Sequence, residues 1–281
     1  MTSVFLSGLV VGSMYALAGL GLTLEYRTSR IVNFAHGAQA MIAAFIFVKL
    51  RPDLGLVGAM AVSLCVAGFT GAVVERLSVK MAAGRGAMNQ VIVTLGIFLL
   101  LQGIATEWFG QNIQYAPAIF EGSHKVFGVF LSRDQVVVLL LGPLVAFALW
   151  AFLRFTPVGL RLRAVADRRE QASLIGLHTP RLVLGAWVLG SILAGLAGIF
   201  LTPLLLLDPV VFSLLIIAAY AALLLGGMES LILTVLGGFG LGLAQQIATY
   251  NFAKVVGIRE VVAFGLAVIA LTVQSKRLEW T

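Results

Sequence analysis

Asn33 and His36 stand three positions apart in the run RIVNFAHGAQAMIAAF, at the head of an apolar stretch. Helical spacing puts them on one face with Gly37, Ala40 and Ala44, while Phe34, Met41 and Phe45 fall on another. Polar side chains in hydrocarbon need partners, so the chemistry on offer is hydrogen bonding, either to neighbouring helices or to a polar solute moving along the stripe. Bonds to neighbouring helices are the favoured reading for direct contact, and lining a path is the second. Gln102, and later Gln245, Gln246 and Thr249, sit in other apolar runs. Their amides and hydroxyl suit a zwitterion or an amide without the trap of a fixed charge, and loose packing bonds explain them equally well.

Harder chemistry has no visible carrier. The chain contains no G-x-x-x-x-G-K-[ST] phosphate loop, no H-E-x-x-H metal pair and no G-x-S-x-G elbow. Its three histidines, His36, His124 and His178, are too far apart in sequence to suggest a metal site. Glu25, Glu75, Glu107 and Glu260 fall near the ends of apolar runs, which argues against a midplane acidic cluster for proton or sodium coupling. The expectation is a chain that is not an enzyme, hydrolyses no nucleotide and needs no cofactor of its own.

These residues are set in a chain of 281 residues that is 60% hydrophobic and 11% charged, with mean hydropathy +1.04. A polar shell around a soluble core cannot be built from that composition. A helix needs about 20 apolar residues to cross a hydrocarbon core of about 30 Å, and lipid satisfies no open backbone. The expected fold is therefore an all-α polytopic membrane protein with eight or nine transmembrane helices, as one transmembrane domain over residues 1–281. Candidate spans are Thr2 to Leu24, Ile31 to Val48, Leu54 to Val74, Val91 to Phe109, Val136 to Leu153, Leu182 to Leu207, Val210 to Leu225, Leu231 to Tyr250 and Val261 to Val273. The seventh and ninth are short, and the ninth spans only by recruiting residues before Arg259. The first run lacks a basic lead, so it reads as a retained span rather than a signal peptide.

Nine crossings place 13 Lys and Arg on one side and 6 on the other, while acidic residues divide evenly. The basic excess marks the cytoplasmic face, so the amino end is expected outside and the carboxyl end inside. Topology also accounts for the net charge of +7 without nucleic acid. Residues 110–135 form the largest outer loop, a candidate strap against an external partner. The single Cys65 makes no intrachain disulfide and reads as a small packing residue. Gly8-x-x-x-Gly12 and Gly238-x-x-x-Gly242 have the spacing that lets helices approach closely.

The largest polar interruption runs from Arg154 to Arg181 and holds six of the 19 basic residues. Within it ADRREQASLIGLH predicts a short helix ended by Gly176, with Ala172, Ile175 and Gly176 on a small apolar side and Arg168, Arg169 and Glu170 on a charged one. Such a helix either anchors at lipid headgroups or fits a partner's groove.

The runs GLTLEYRTSRIVNFAHGA (Gly21 to Ala38), GLRLRAVADRREQASLIGL with LGSILAGLAGIF (Gly159 to Phe200), and LDPVVF (Leu207 to Phe212) resemble the permease subunits of prokaryotic ABC importers for branched-chain amino acids. The similarity covers nearly the whole length. It implies a subunit of the cytoplasmic (inner) membrane, a second related permease, two cytoplasmic ATPases that bind the ATP, and an extracytoplasmic substrate-binding protein. It also implies that Asp167, Arg168, Arg169, Glu170, Ala172, Ile175, Gly176 and Leu177 form the cytoplasmic coupling helix that meets an ATPase. Two departures stand out: Glu229 occupies a usual glycine in the G-G-x-G-S-x-x-G run, and Tyr26-Arg27 replaces a usual Tyr-Gly. The family also includes importers of urea and short amides. An ATP-independent channel or secondary carrier for a small polar solute is the rival from outside it.

Overall fold

A computed structural model describes residues 1–82, 87–110, 116–126, 128–204, 207–209, 212 and 215–278. Ten helices are described: α1 (Thr2–Ser29), α2 (His36–Ala82), α3 (Ala87–Phe109), α4 (Arg133–Phe155), α5 (Pro157–Asp167), α6 (Arg169–Leu174), α7 (Thr179–Leu201), α8 (Leu215–Leu225), α9 (Leu231–Asn251) and α10 (Ile258–Leu278). Among the described residues, six helices are long and apolar enough to cross a membrane. The chain is a polytopic helical membrane protein.

At the centre lies α1, packed against α4, α5, α7, α8 and α9. The two glycine motifs seen in the sequence face one another. A Cβ added at Gly12 would lie 2.8 Å from the Phe239 Cα and 3.0 Å from the Gly238 carbonyl, and one at Gly8 would lie 3.0 Å from the Leu243 Cα. Since residue 8 meets 242–243 and residue 12 meets 238–239, α1 and α9 run antiparallel with their backbones in contact. Further along, a Cβ at Gly21 would lie 2.6 Å from the Gly190 carbonyl, so α7 presses on α1 in the same manner.

The 47 residues of α2 would make a rod of about 70 Å, more than twice a bilayer core. Gly55 interrupts it with φ 67°, a left-handed conformation that glycine adopts without steric cost. Contacts with α7 show that the two halves fold back on each other. Ser191 meets Gln39 and Gly71, while Gly195 meets Ala43 and Ala67. Both pairs are centred on residue 55, as in a hairpin. The candidate spans Ile31 to Val48 and Leu54 to Val74 are thus its two limbs.

Several boundaries differ from the sequence expectation. Residues 31–35 are not helical, because the Asn33 side chain accepts a bond from the Ala35 amide (3.0 Å) and the His36 amide bonds the Asn33 carbonyl (3.3 Å). Local side-chain bonding of this sort competes with a helix and sets its start. Asn33 therefore belongs to the turn before α2 and not to a helical stripe. The ninth candidate span lengthens at both ends into α10, whereas the helix within the seventh begins at Leu215, and Val210 and Val211 lie outside the described residues. Asp167 closes α5, so the short helix expected across Asp167 to Leu177 narrows to α6, whose six residues follow a break at Arg168 (φ −150°).

The loop 110–135 contains a small antiparallel hairpin, β1 (Ser123–Val126) and β2 (Val129–Ser132). Four-residue strands are too short to show a period of two in the sequence. Asp134 holds the preceding strap by accepting from the amides of Ile119 (3.1 Å) and Phe120 (2.8 Å), and Arg51 donates to the carbonyls of Pro117 and Ile119.

Gly12→Leu or Gly238→Leu should push α1 and α9 apart at a backbone contact. Overpacking of this kind costs about 1–3 kcal/mol. The expected outcome is a lower melting temperature of the purified chain in detergent, with the control Gly240→Leu, where a side chain meets open space, unchanged. Equal melting of all three would remove the glycine interface from the account.

Candidate functional site

The turn at residues 31–35 brings Asn33 and His36 onto Glu25, one turn from the end of α1. The Asn33 amide donates to one Glu25 oxygen (2.8 Å), and His36 Nδ1 lies 3.3 Å from the other. On its far side, His36 Nε2 is 3.0 Å from the Ala18 carbonyl. Gln39 joins through its carbonyl oxygen, which accepts from Ser191 of α7 (3.0 Å) and lies 3.4 Å from the Asn33 amide. All five side chains are buried. Gly37, the next residue of α2, is buried as well.

This geometry fixes the proton count. A carbonyl only accepts, so Nε2 must carry a hydrogen toward Ala18. The contact between Nδ1 and the Glu25 carboxyl then needs one further proton, on either atom. Imidazolium with carboxylate and neutral imidazole with carboxylic acid both give a cluster of zero net charge, the arrangement that low-dielectric surroundings tolerate best. Space is equally determined: a Cβ at Gly190 would lie 2.7 Å from the Glu25 Cγ, so no larger residue fits on α7 opposite the carboxyl. The Nε2 amide of Gln39 has no partner among the described residues.

Glu25, Gln39 and Ser191 are the members that sequence reading missed. Glu25 looked like a residue at the edge of a loop, but α1 continues to Ser29 and carries it inside. The signal was available in part, since a carboxylate eleven residues before a histidine in an otherwise apolar run needs a partner nearby.

The remaining polar candidates lie elsewhere. Gln102 is half-buried on α3, which packs on α2. Gln245 donates to the Arg259 carbonyl (3.0 Å) at the junction of α9 and α10, and Thr249 donates back to the Gln245 carbonyl (2.8 Å). Gln246 is half-buried beside them. The structure thus joins Asn33, His36 and Gly37 in one corner and places Gln245, Gln246 and Thr249 at another.

At the end of the bundle nearest this corner lies the basic segment. Thr156 caps α5 through the Gly159 amide (3.0 Å), and α5 turns Leu162, Val165 and Ala166 inward. On α6, Ala172 is buried in a cluster with Ile31, Ala35, Val74, Val165, Val183 and Trp187. Ala172 therefore does not share one side of the helix with Ile175, as their spacing had suggested. What faces outward is Leu174 (86% exposed) and Ile175 (75% exposed), followed by Gly176 at φ 85°. Asp167, Arg168, Arg169 and Glu170 are exposed, and Leu177 is half-buried, its amide bonded to the Ala172 carbonyl (3.1 Å).

Both sequence departures find ionic partners here. Arg27 lies 3.7 Å from Asp167, tying α1 to the end of α5, and Glu229 pairs with Arg30.

Comparisons with known proteins agree along the whole chain. Residues 4–271 match the family described as branched-chain amino acid transport system / permease component. The high-affinity branched-chain amino acid transport system permease protein LivH of Escherichia coli K12 is 28% identical over 95% of this chain and 91% of its own length. The corresponding permease protein BraD of Pseudomonas aeruginosa is 29% identical over 94% and 91%. A probable LivH permease of Methanocaldococcus jannaschii is 29% identical over 89% and 81%. Among solved structures, PsaBC from Streptococcus pneumoniae in complex with Fab superposes with a TM-score of 0.54 at 15% identity, covering 95% of this chain and 89% of that one, a likeness of fold alone. Matched over nearly all its length, this helical bundle belongs to the family of permease components of branched-chain amino acid transport systems.

Proposed function

We propose that this chain is half of a two-permease pore in an ATP-driven importer of branched-chain amino acids. A related permease, two ATPases and an external binding protein complete the complex. The observation that carries the proposal is the exposed tip of α6. Leu174 and Ile175 project from a charged segment at one end of the bundle, on a stub whose Ala172 is anchored in the core. Apolar side chains presented this way suit a groove on another protein. Asp167 to Leu177 is then the coupling segment, and Gly176 leaves room for a close approach at a backbone conformation that glycine favours.

Because Ala172 of α6 shares one buried cluster with Ile31, Ala35 and Val74, a push on it reaches the turn that holds Asn33, His36 and Gly37. That turn is the element we assign to gating the solute path. Gln102, Gln245, Gln246 and Thr249 are the polar groups offered to the solute elsewhere along it. The basic side of the chain, including α5 and α6, faces the cytoplasm in this reading, with the amino end outside and the carboxyl end inside. ATP drives the cycle only by binding one arrangement of the complex more tightly than the other.

Gly176→Glu in the assembled complex should lower receptor-stimulated ATPase activity and uptake at least tenfold while the permease still reaches the membrane. Unchanged rates would remove α6 as the docking site, and loss of membrane insertion together with activity would assign it to headgroup anchoring. A second expectation concerns the corner. Leaving a buried donor or acceptor without its partner costs about 1–3 kcal/mol, and more for a charged group. His36→Leu should therefore reduce uptake more than tenfold, and Asn33→Leu should reduce it less. The amount of assembled complex, measured by co-purification of the ATPases, should fall by a smaller factor in both. Equal loss of assembly and uptake would make the corner a packing device only.

A further inference from the structure

The turn at residues 31–35 has a second face. Opposite the Glu25 cluster, Val32 and Phe34 form one wall of an apolar groove of about 480 Å³, and Leu224, Met228 and Phe264 stand on the facing walls from α8, the turn after it, and α10. Phe34 and Tyr220 cross this space, their ring centroids 5.1 Å apart. The groove separates the α1–α2 turn from the α8–α10 layer.

At one end of the groove an ion pair joins the two walls. Arg30, two residues before Val32, donates to the carboxylate of Glu229, which follows Met228. Both side chains are about half exposed. Solvent and salt weaken such a pair, as befits a contact that must open and close repeatedly. The Glu229 hydrogen bond pushes the guanidinium further above its already high pKa, so the charge on Arg30 is permanent.

The backbone supplies an independent observation. Among the described residues only two non-glycine residues have positive φ, Arg30 at 59° and Met228 at 65°. One belongs to the pair itself and the other adjoins its partner. Residues are held in this sparsely populated region only where surrounding contacts over-determine them, and such positions gather at clamps and switch elements. On each side of the latch, one strained residue turns the chain so that Arg30 and Glu229 meet.

We infer that Arg30 and Glu229 are positioning residues for the transport cycle, an ionic latch that holds the two walls of the groove together at the end carrying α5 and α6. The latch closes while α6 is at rest. Displacement of α6, transmitted through Ile31, opens it and frees the α8–α10 layer to move. The role in the cycle rests on the permease reading above, whereas the clamp itself does not.

Two measurements separate these. In the purified full chain with Cys65→Ser, spin labels at Val32→Cys and Met228→Cys report the width of the groove end. Arg30→Gln and Glu229→Gln should each lengthen or broaden the distance distribution, the exchanged pair Arg30→Glu with Glu229→Arg should restore it, and rising salt should widen the unmodified pair only. An unchanged distribution in the single variants, or no recovery on exchange, overturns the latch. In proteoliposomes with the partner subunits, each single variant should raise receptor-independent ATPase activity at least threefold and lower uptake per ATP at least fivefold, with recovery to within twofold on exchange. Wild-type coupling in the single variants overturns the role in the cycle. A complex containing the unsubstituted chain that transports nothing overturns the permease reading alone, because the label distances are read without transport.

Discussion

Lipid leaves a helix bundle no hydrophobic drive to assemble, so helices associate where their surfaces approach most closely and where polar groups find each other. In this chain both conditions are met on α1. Its glycines at 8 and 12 receive the backbone of α9, Gly21 receives α7, and Thr23 bonds Thr234 at 3.0 Å. The same helix ends with Glu25 inside the bundle and with Arg27 and Arg30 outside it. Most of the remaining architecture is arranged around that helix. The hairpin of α2 packs on α7, α7 packs on α1, and α3 sits outside α2.

The Glu25 cluster shows how a charge-bearing group is accommodated at such a centre. A carboxyl here is bonded by Asn33 and His36, and His36 is fixed by the Ala18 carbonyl, so every change in one group has to be answered by another. Coupling of this kind makes the turn before α2 a unit and not a loose connection. It explains why the helix starts at His36 and not at Ile31: the amide and carbonyl of Asn33 are already engaged with Glu25 and Ala35. The corner lies between α6, whose Ala172 shares a buried cluster with Ile31 and Ala35, and the groove lined by Val32 and Phe34. Alternate residues of one short segment thereby face the α5–α6 connector and the apolar groove.

Much of the bundle was legible in the sequence because apolar run length is a strong signal in a bilayer protein. The limbs of α2, and α3, α4, α7 and α9, all fall near the expected spans. The glycine motifs were visible too, although not the fact that they face each other across 226 residues. Other features depend on tertiary contact. Glu25 was read as a loop residue because nothing local says that α1 runs on past it. Ala172 groups with Ile175 by spacing, yet it is buried in a cluster with Trp187 and Val74 while Ile175 is exposed. The break at Arg168 has no breaker residue to announce it. Residue type alone does not distinguish the Gln39 amide, which has no partner among the described residues, from that of Gln245, which bonds a carbonyl.

The order of synthesis gives the position of α1 a cost. This helix leaves the ribosome before the two whose backbones it touches. Gly190 follows Gly21 by 169 residues, and Gly238 follows Gly12 by 226. At about 5–20 residues per second, the glycine face waits roughly ten seconds or more for its partners. His36 arrives almost at once beside Glu25, so the carboxyl has its partner early. The bare groove along the helix stays open much longer, and during that interval an insertase or a passing lipid must occupy the surface that the last-made helices finally claim.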